Sequence, residues 1–233
     1  MVNYLDVYYN KKFKFKTNYD VHFVDHLIKR FNLKPGKFLD IGCGTQNTLK
    51  LFKEKGFDVY GADIINPKEK SEFDIRCNNF ETEKLKFDTN EFDVVFCKSV
   101  VEHLRNPENI IKDAQRVLKP GGTIIVLTPS WLHTYWGPFY IDHTHVTPFT
   151  LSSLNNLLLL GDFDVCSTKE FYQFPIVWKF PFLKYILKFI ALFPIPYFPV
   201  HYVKKKYNNT LNVLIRFSNE PMILAHAKKK KLK

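Results

Sequence analysis

The segment FLDIGCGT, residues 38–45, sets Gly42 and Gly44 one residue apart directly after an apolar run. A carboxylate, Asp40, stands two residues before the first glycine. Glycines in the loop that leaves the first strand of an α/β sheet let backbone approach a ligand with no Cβ in the way. A dinucleotide site would add a third glycine three residues on, and that position is Asn47. Asp40 suits a ligand ammonium better than a pyrophosphate. Asp63 ends the next apolar run, about 20 residues past the glycines, where a carboxylate accepts hydrogen bonds from both hydroxyls of a ribose. The expected ligand is therefore cationic near the loop and carries a ribose farther out.

Reactive side chains concentrate again in WLHTYWGPFYIDHTHVTPFT, residues 131–150, which holds Trp131, His133, Tyr135, Trp136, Tyr140, Asp142, His143 and His145. An imidazole titrates near working pH, so His143 and His145 are candidate proton acceptors. The aromatic rings could shield a reaction and steady a cation. A histidine that merely ties the loop to backbone is an equally good reading of His145. Asp142, His143 and His145 also form an H-x-H pattern beside a carboxylate, but no further spacing completes a metal site and none is expected.

These residues must be positioned by a sheet. Strand-like runs at 37–42, 57–64, 73–77, 92–99 and 122–129 alternate with helix-like stretches at 46–55, around 81–86, and at 106–118. Strands alternating with helices imply a mainly parallel sheet covered on both faces. In NPENIIKDAQRVLKPGG, Asn106 can cap, Pro107 suits the first turn, and Pro120, Gly121 and Gly122 end the helix. Farther on, TLSSLNNLLLLGDF reads as a helix ended by Gly161, followed by a strand at 163–171. LNVLIRFSNEPMILAHAK reads as a closing hairpin or strand.

The 233 residues suffice for one α/β domain with a modest addition. Cys43, Cys77, Cys97 and Cys166 show no C-x-x-C pairing and are expected to be reduced core thiols in a cytoplasmic protein. No apolar stretch follows a basic start at the N-terminus, so a secretion signal is not expected. Lys and Arg total 34 against 23 Asp and Glu, a net +11, with much of the excess at residues 11–16, 204–206 and 228–233. Such runs are usually solvated ends; an anionic membrane or nucleic acid is the rival explanation.

FLDIGCGT, VYGADI, EFDVVFCKSVVEHL and LKPGGTIIVLTPS, in this order and spacing, resemble four successive motifs of the class I S-adenosylmethionine-dependent methyltransferases across residues 36–130. The resemblance implies an α/β, Rossmann-like fold. Its sheet is seven-stranded and mainly parallel, with helices on both faces and a closing antiparallel strand, here with an apolar insertion near the C-terminus. It implies a single domain over 1–233: an N-terminal helical cap at 1–35, the cofactor core at 36–130, an acceptor-side segment at 131–173, the insertion at 174–206, and a closing strand with basic tail at 207–233. The implied cofactor is S-adenosyl-L-methionine. Asp40, Gly42, Cys43 and Gly44 would surround its methionine part, Asp63 and Ile64 its ribose, and Asn79 and Phe80 its adenine. Lys98 and Ser99 would line its inner side. The departures are Gln46, where GCGTG has its third glycine, and Asn79, where the family often has Asp.

Methyl transfer from a sulfonium is an in-line displacement that rests mainly on positioning, and a base is needed only for a poorly acidic hydroxyl or a protonated amine. DHTHVTPFT resembles a D-x-T-H-V-x-P-F-T signature of a subgroup associated with glycan and cell-surface biosynthesis. It ranks His145 first among the histidines, while His103 reads as a structural cap. The leading expectation is O-methylation of a small-molecule or glycan acceptor. A lipophilic, quinone-like or RNA acceptor is the alternative, and a non-catalytic cofactor-binding or partner-binding scaffold is the reading of another class. DNA is disfavoured, because amino-methylating DNA enzymes carry D/N-P-P-Y/F after the fourth strand and this chain has CKSVVEHL. Within the insertion, FLKYILKFIALF lies between Pro181 and Pro194 and falls short of the ~20 apolar residues that span a bilayer. Its wide apolar face is expected to cover the pocket, form a dimer, or lie in a membrane interface with help from the basic runs, which would place the protein at the inner membrane face.

Overall fold

The computed structural model describes residues 18–65, 71–193, 195–197 and 210–231. The basic runs at 11–16 and 204–206 lie outside the described residues. The first helix, α1 (Asn18–Phe31), buries Phe23, Val24 and Leu27 along one stripe. It is followed by β1 (Lys37–Ile41), α2 (Asn47–Glu54), β2 (Asp58–Asp63), β3 (Asp74–Cys77) and β4 (Phe92–Lys98). After one turn of 3-10 helix at Val101–His103 come α3 (Pro107–Val117), β5 (Leu118–Pro129), the short α4 (Trp131–Thr134), α5 (Leu151–Leu160) and β6 (Phe163–Phe171). The chain continues through α6 (Pro175–Lys179), α7 (Lys184–Ala191), α8 (Thr210–Asn219) and β7 (Met222–Lys229).

The seven strands form one sheet in the order β3-β2-β1-β4-β5-β7-β6. β1 is buried from Phe38 to Ile41 and pairs in parallel with β2 on one side and β4 on the other, as a run apolar on both faces should. Strand order reverses between β1 and β4, and the crevice at such a switch point is where open α/β sheets take ligands. β7 is antiparallel to both β5 and β6. β6 therefore runs with β1–β5, and its C-terminal residue Phe171 reaches the same edge as the glycine loop.

Two apolar layers cover the sheet. One joins Leu39, Phe80, Phe92, Ile111 and Leu158; the other joins Phe23, Phe38, Phe52, Phe96 and Phe171. Phe38 stacks on Phe52 with ring centroids 3.8 Å apart, pinning α2 to β1 immediately behind the loop. In the second layer His26 lies 5.0 Å from the Trp178 ring, and His226 stacks on Phe31 at 4.3 Å. Both imidazoles have a buried Nε2 with no hydrogen-bond partner among the described residues, and burial pushes each down to about 4, with Arg30 adding to the effect at both. Because the folded pKa lies below the unfolded value, this stability is complete above about pH 6.5 and is lost as pH falls towards 4. Each ring keeps some solvent contact, so its contribution is on the order of 1 kcal/mol. His26→Phe is expected to shrink the fall in Tm between pH 7 and pH 5; an unchanged fall would place the acid sensitivity elsewhere.

Several sequence expectations are corrected. Residues 81–86 form turns instead of a helix, held by the Asn79 carbonyl accepting from the Thr82 and Glu83 amides. LNVLIRFSN is helical, not part of a hairpin. Leu214 joins the small cluster of Tyr172, Val177 and Leu187, while Ser218 Oγ and Asn219 Nδ2 donate back to the carbonyls of Leu214 and Ile215. Asn106 makes no side-chain cap; the Glu81 carboxylate receives the Arg105 and Asn106 amides, just ahead of the helix. β5 starts at Leu118, earlier than expected, because its KPGG stretch bulges where the register with β4 shifts between Phe92 and Val94. Of the four free cysteines Cys166 is exposed, since it lies on the edge strand β6, and Cys77 is only half-buried.

The basic tail also differs from expectation. β7 runs opposite to β5, so its end lies at the edge away from the glycine loop. There Lys229 Nζ donates to Asn90 Oδ1 and the Leu118 carbonyl, and Lys230 pairs with Asp162. These two lysines do not adjoin the apolar helices α6 and α7.

Candidate active site

The loop after β1 folds over the end of β2. The amides of Gly42 and Cys43 donate to the Ala62 carbonyl at 2.8 and 3.3 Å. Gly42 has φ 77°, and a Cβ there would lie 2.3 Å from Val100 Cγ2. Gly44, at φ 44°, would meet nothing nearer than 3.9 Å, so its outer side is open to a ligand. Gln46 also adopts the left-handed region, φ 65°. That backbone is why related loops have glycine there, and here Gln46 Oε1 gains a hydrogen bond from Ser71 Oγ at 2.9 Å. Cys43 Sγ occupies the space that a side chain at Gly61 would need, which seats the loop close on β2.

Two carboxylates face this loop. Asp63 Oδ2 accepts from the Gly44 amide at 2.8 Å and Oδ1 from the Ile65 amide at 3.0 Å, so Asp63 already fixes the loop while retaining further acceptor capacity. Asp40 is buried, and burial together with the Asp63 charge holds its carboxyl well above the usual carboxylate range; Lys98 opposes this. A buried carboxylate beside a second one is an arrangement that a cationic ligand would relieve.

The other expected cofactor residues are distributed unevenly. Ile64 is 58% exposed at the rim. Asn79 is exposed and its Oδ1 closes a turn by accepting from the Glu81 amide, whereas neighbouring Asn78 is fully buried with Nδ2 donating to the Lys84 carbonyl. Phe80 is buried in the sheet-covering layer. Lys98 Nζ lies 5.1 Å from the Phe23 ring centroid, directed at α1, and burial lowers its pKa against the pull of Asp20, Asp40 and Glu102. Ser99 turns the chain out of β4 at φ 54°, its amide donating to the Leu127 carbonyl.

Beyond Ser99 the structure assembles a cluster that crosses the sequence. Glu102 is fully buried; its carbonyl accepts from the Val146 and Thr147 amides, which draws the segment after α4 onto the 3-10 turn. Glu102 Oε2 accepts from Thr128 Oγ1 at 3.0 Å, while Oε1 is buried and makes no well-formed hydrogen bond among the described residues. Burial pushes its carboxyl up to about 7. His145 Nδ1 donates to the Phe139 carbonyl at 2.6 Å. Thr144 Oγ1 gives its one proton to Asp142 Oδ1, at 2.6 Å, and therefore accepts from His103 Nδ1 at 2.8 Å. With both Nδ1 atoms donating, the lone pair of each neutral ring lies on Nε2. The two rings meet edge to face at 4.6 Å, and burial lowers the pKa of both, His103 to about 4.

His145 is thus brought together with Glu102 and His103, with Asp142 close behind them, its charge acting on both imidazoles. Asp142 Oδ1 is engaged by Thr144, and His143 is exposed. Sequence reasoning took His103 as a cap and gave Glu102 no role; the only local signal was an acid–histidine pair directly after β4. His133 belongs elsewhere, its Nε2 3.0 Å from Glu170 Oε1, with Lys188 Nζ 3.0 Å from Glu170 Oε2.

A mainly parallel sheet with a glycine loop at its switch point, a carboxylate ending β2 and a closing antiparallel strand is the arrangement of an S-adenosylmethionine-dependent methyltransferase domain. The family model described as "Methyltransferase domain" matches residues 15–168, and the chain belongs to that family. It is 26% identical over 129 residues to the ubiquinone biosynthesis O-methyltransferase of Coxiella burnetii, a match covering 50% of this chain and 55% of that protein. The chain thus spans about half the length of the curated relatives it matches. Among solved structures it resembles a methyltransferase from Archaeoglobus fulgidus that uses the same cofactor, with TM-score 0.61 and 20% identity over 97% of this chain and 100% of that one. It also resembles the Burkholderia thailandensis 1,6-didemethyltoxoflavin-N1-methyltransferase, solved with S-adenosylhomocysteine, with TM-score 0.60 and 12% identity over 98% and 86% of the two chains.

Proposed function

We propose that the protein transfers a methyl group from S-adenosylmethionine to a hydroxyl of an amphiphilic acceptor, whose polar end meets the Glu102–His103–His145 cluster and whose apolar part lies along α6 and α7. The bound cofactor would supply a methyl on a sulfonium, whose thioether leaves without an acid. Asp40, Gly42, Cys43 and Gly44 would hold its amino acid part, Asp63 and Ile64 its ribose, Asn79 and Phe80 its adenine, and Lys98 and Ser99 its inner side. The acceptor oxygen would take that methyl in line, the C–S electron pair going to the departing thioether. The remaining task, removal of the hydroxyl proton, falls to the cluster containing His145; exposed His143 stands outside it.

The observation that carries this reading is the apolar surface beside the site. Ile176, Phe182, Tyr185, Phe189 and Leu192 are 57%, 64%, 65%, 60% and 77% exposed, a run of large apolar side chains in water along one segment of the chain. These helices follow β6 at the site's edge. Trp178 of α6 packs on Phe171 and Phe23, the ring beneath Lys98, and Lys188 of α7 is joined through Glu170 to His133. No helix among the described residues is long and apolar enough to cross a membrane, so contact would be peripheral. The similarity to enzymes named for ubiquinone biosynthesis favours a lipophilic acceptor.

The glycan reading keeps one support, the DHTHVTPFT segment, and a lipid-linked glycan would satisfy both. The test is product formation with three acceptors: a prenylated catechol, a lipid-linked glycan in vesicles, and a water-soluble sugar nucleotide. Methylation of only the last would sink the amphiphilic reading, and cofactor binding without any product would favour the scaffold. The double variant Phe182→Asp, Phe189→Asp is expected to lower partition onto anionic vesicles at least about tenfold, since burying two aromatic rings is worth several kcal/mol. Unchanged partition would assign the face to a pocket cover or a second copy of the chain.

A further inference from the structure

We infer that Glu102, His103 and His145 form a binding site for a divalent transition-metal ion of the zinc class, which holds and acidifies the acceptor hydroxyl. The inference rests on the proposed transfer to oxygen for its purpose, but not for its evidence. Each of the three residues offers one ligand atom, and these atoms all lie within 4.8 Å of one another. Ligand atoms in a tetrahedral set on one such ion stand about 3.3 Å apart, so a closure of up to about 1.5 Å completes the set.

Three features distinguish this cluster from a chance meeting of polar groups. The donor types, two imidazoles and one carboxylate, suit zinc, iron, cobalt or manganese, and a three-residue set leaves coordination positions for a substrate oxygen. Both histidines have Nδ1 held from behind: His145 by the Phe139 carbonyl, and His103 by Thr144, which Asp142 orients in turn. That arrangement fixes the tautomer with the lone pair on Nε2 and is how metal-binding histidines are oriented. Finally, Glu102 is fully buried and its Oε1 makes no well-formed hydrogen bond among the described residues, although Thr128 bonds the other oxygen and Ser99 also reaches this carboxyl. An oxygen so poorly bonded in a fully buried side chain is costly, and a cation is the partner that would remove the cost.

The chemistry follows. A hydroxyl ligated to such an ion gives up its proton to solvent near neutral pH, as water does, which leaves an oxygen lone pair for the methyl carbon. The overall balance is unchanged: one proton is released for each methyl transferred. A hydroxyl with a neighbouring oxygen, as in a catechol or a sugar diol, could fill two open positions and be held in one orientation.

The test uses untagged full chain, stripped with a chelator, dialysed and titrated with Co²⁺ while its visible ligand-field bands are followed. One equivalent should saturate the bands, and Zn²⁺ should displace them. Glu102→Gln, which preserves the side chain's shape, and His145→Ala should each lose stoichiometric binding with far-ultraviolet circular dichroism unchanged. Thr144→Val, which only removes the support behind His103, should weaken binding about 10- to 100-fold. Absence of bands in the native chain would overturn the inference, as would equal affinity in a folded His145→Ala or Glu102→Gln variant. A parallel calorimetric titration with S-adenosylmethionine separates the two readings. Metal binding without cofactor binding would sink the methyltransferase assignment alone, and the converse would sink the metal site alone.

Discussion

Gly42→Ala is expected to cost the protein about 2–5 kcal/mol of stability and to weaken S-adenosylmethionine binding at least tenfold. Two independent effects add. The backbone at Gly42 has φ 77°, where an L side chain is strained by about 1–2 kcal/mol. The new methyl would also stand 2.3 Å from Val100 Cγ2, so either the loop or the start of the 3-10 turn must move, a further ~1–3 kcal/mol. Neither side yields easily, because Gly42 and Cys43 are tied to the Ala62 carbonyl and Val100 belongs to the main apolar layer. Adding Val100→Ala removes the clash but not the strain. The double variant should therefore bind cofactor better than Gly42→Ala while remaining less stable than the native chain. Denaturant unfolding and calorimetry read the two quantities separately, and native affinity in the single variant would mean that the loop is not the cofactor cradle.

Asp63→Ala is expected to weaken cofactor binding about 10- to 100-fold while leaving the ligand-free fold nearly as stable. The carboxylate would have two duties: its oxygens receive the Gly44 and Ile65 amides at 2.8 and 3.0 Å, and its remaining lone pairs are the ones we propose for the ribose hydroxyls. Charge-assisted hydrogen bonds of this kind contribute about 1.5–3 kcal/mol. Asp63 is only half-buried, so water can serve both amides when the carboxylate is gone. Asp63→Asn keeps one acceptor oxygen and should fall between the two. Unchanged affinity in Asp63→Ala would move the ribose elsewhere.

The sheet was legible because its signals are local. An apolar run feeding a glycine loop and a carboxylate ending the next run each report on a few neighbouring residues, and both recur in the fold, while KPGG marks the bulged start of β5. Gln46 was marked as a departure from the glycine pattern, and its left-handed φ of 65° gives the physical reason. What escaped depended on distance along the chain. His103 and Thr144 are 41 residues apart, and no spacing rule joins them. The same holds for the chain entering α3, where Glu81 from another turn holds the Arg105 and Asn106 amides, and for α8, where strand-like composition yielded to packing against Tyr172, Val177 and Leu187. Residues 228–231 were read by composition as an aid to membrane contact, but the reversed direction of β7 takes them to the far edge.

That reversal also fixes the order in which the sheet can be completed during synthesis. β7 is made after β6 yet lies between β5 and β6. Until residues 222–229 leave the ribosome, β5 has one open side and β6 has no strand to pair with. The growing chain therefore presents unpaired strand edges through the time needed to make α6, α7 and α8, the stretch that also carries its most apolar exposed surface. A chain stalled in that interval would be a substrate for holding chaperones, and slowing translation across residues 172–221 should lower the soluble yield without altering the native state.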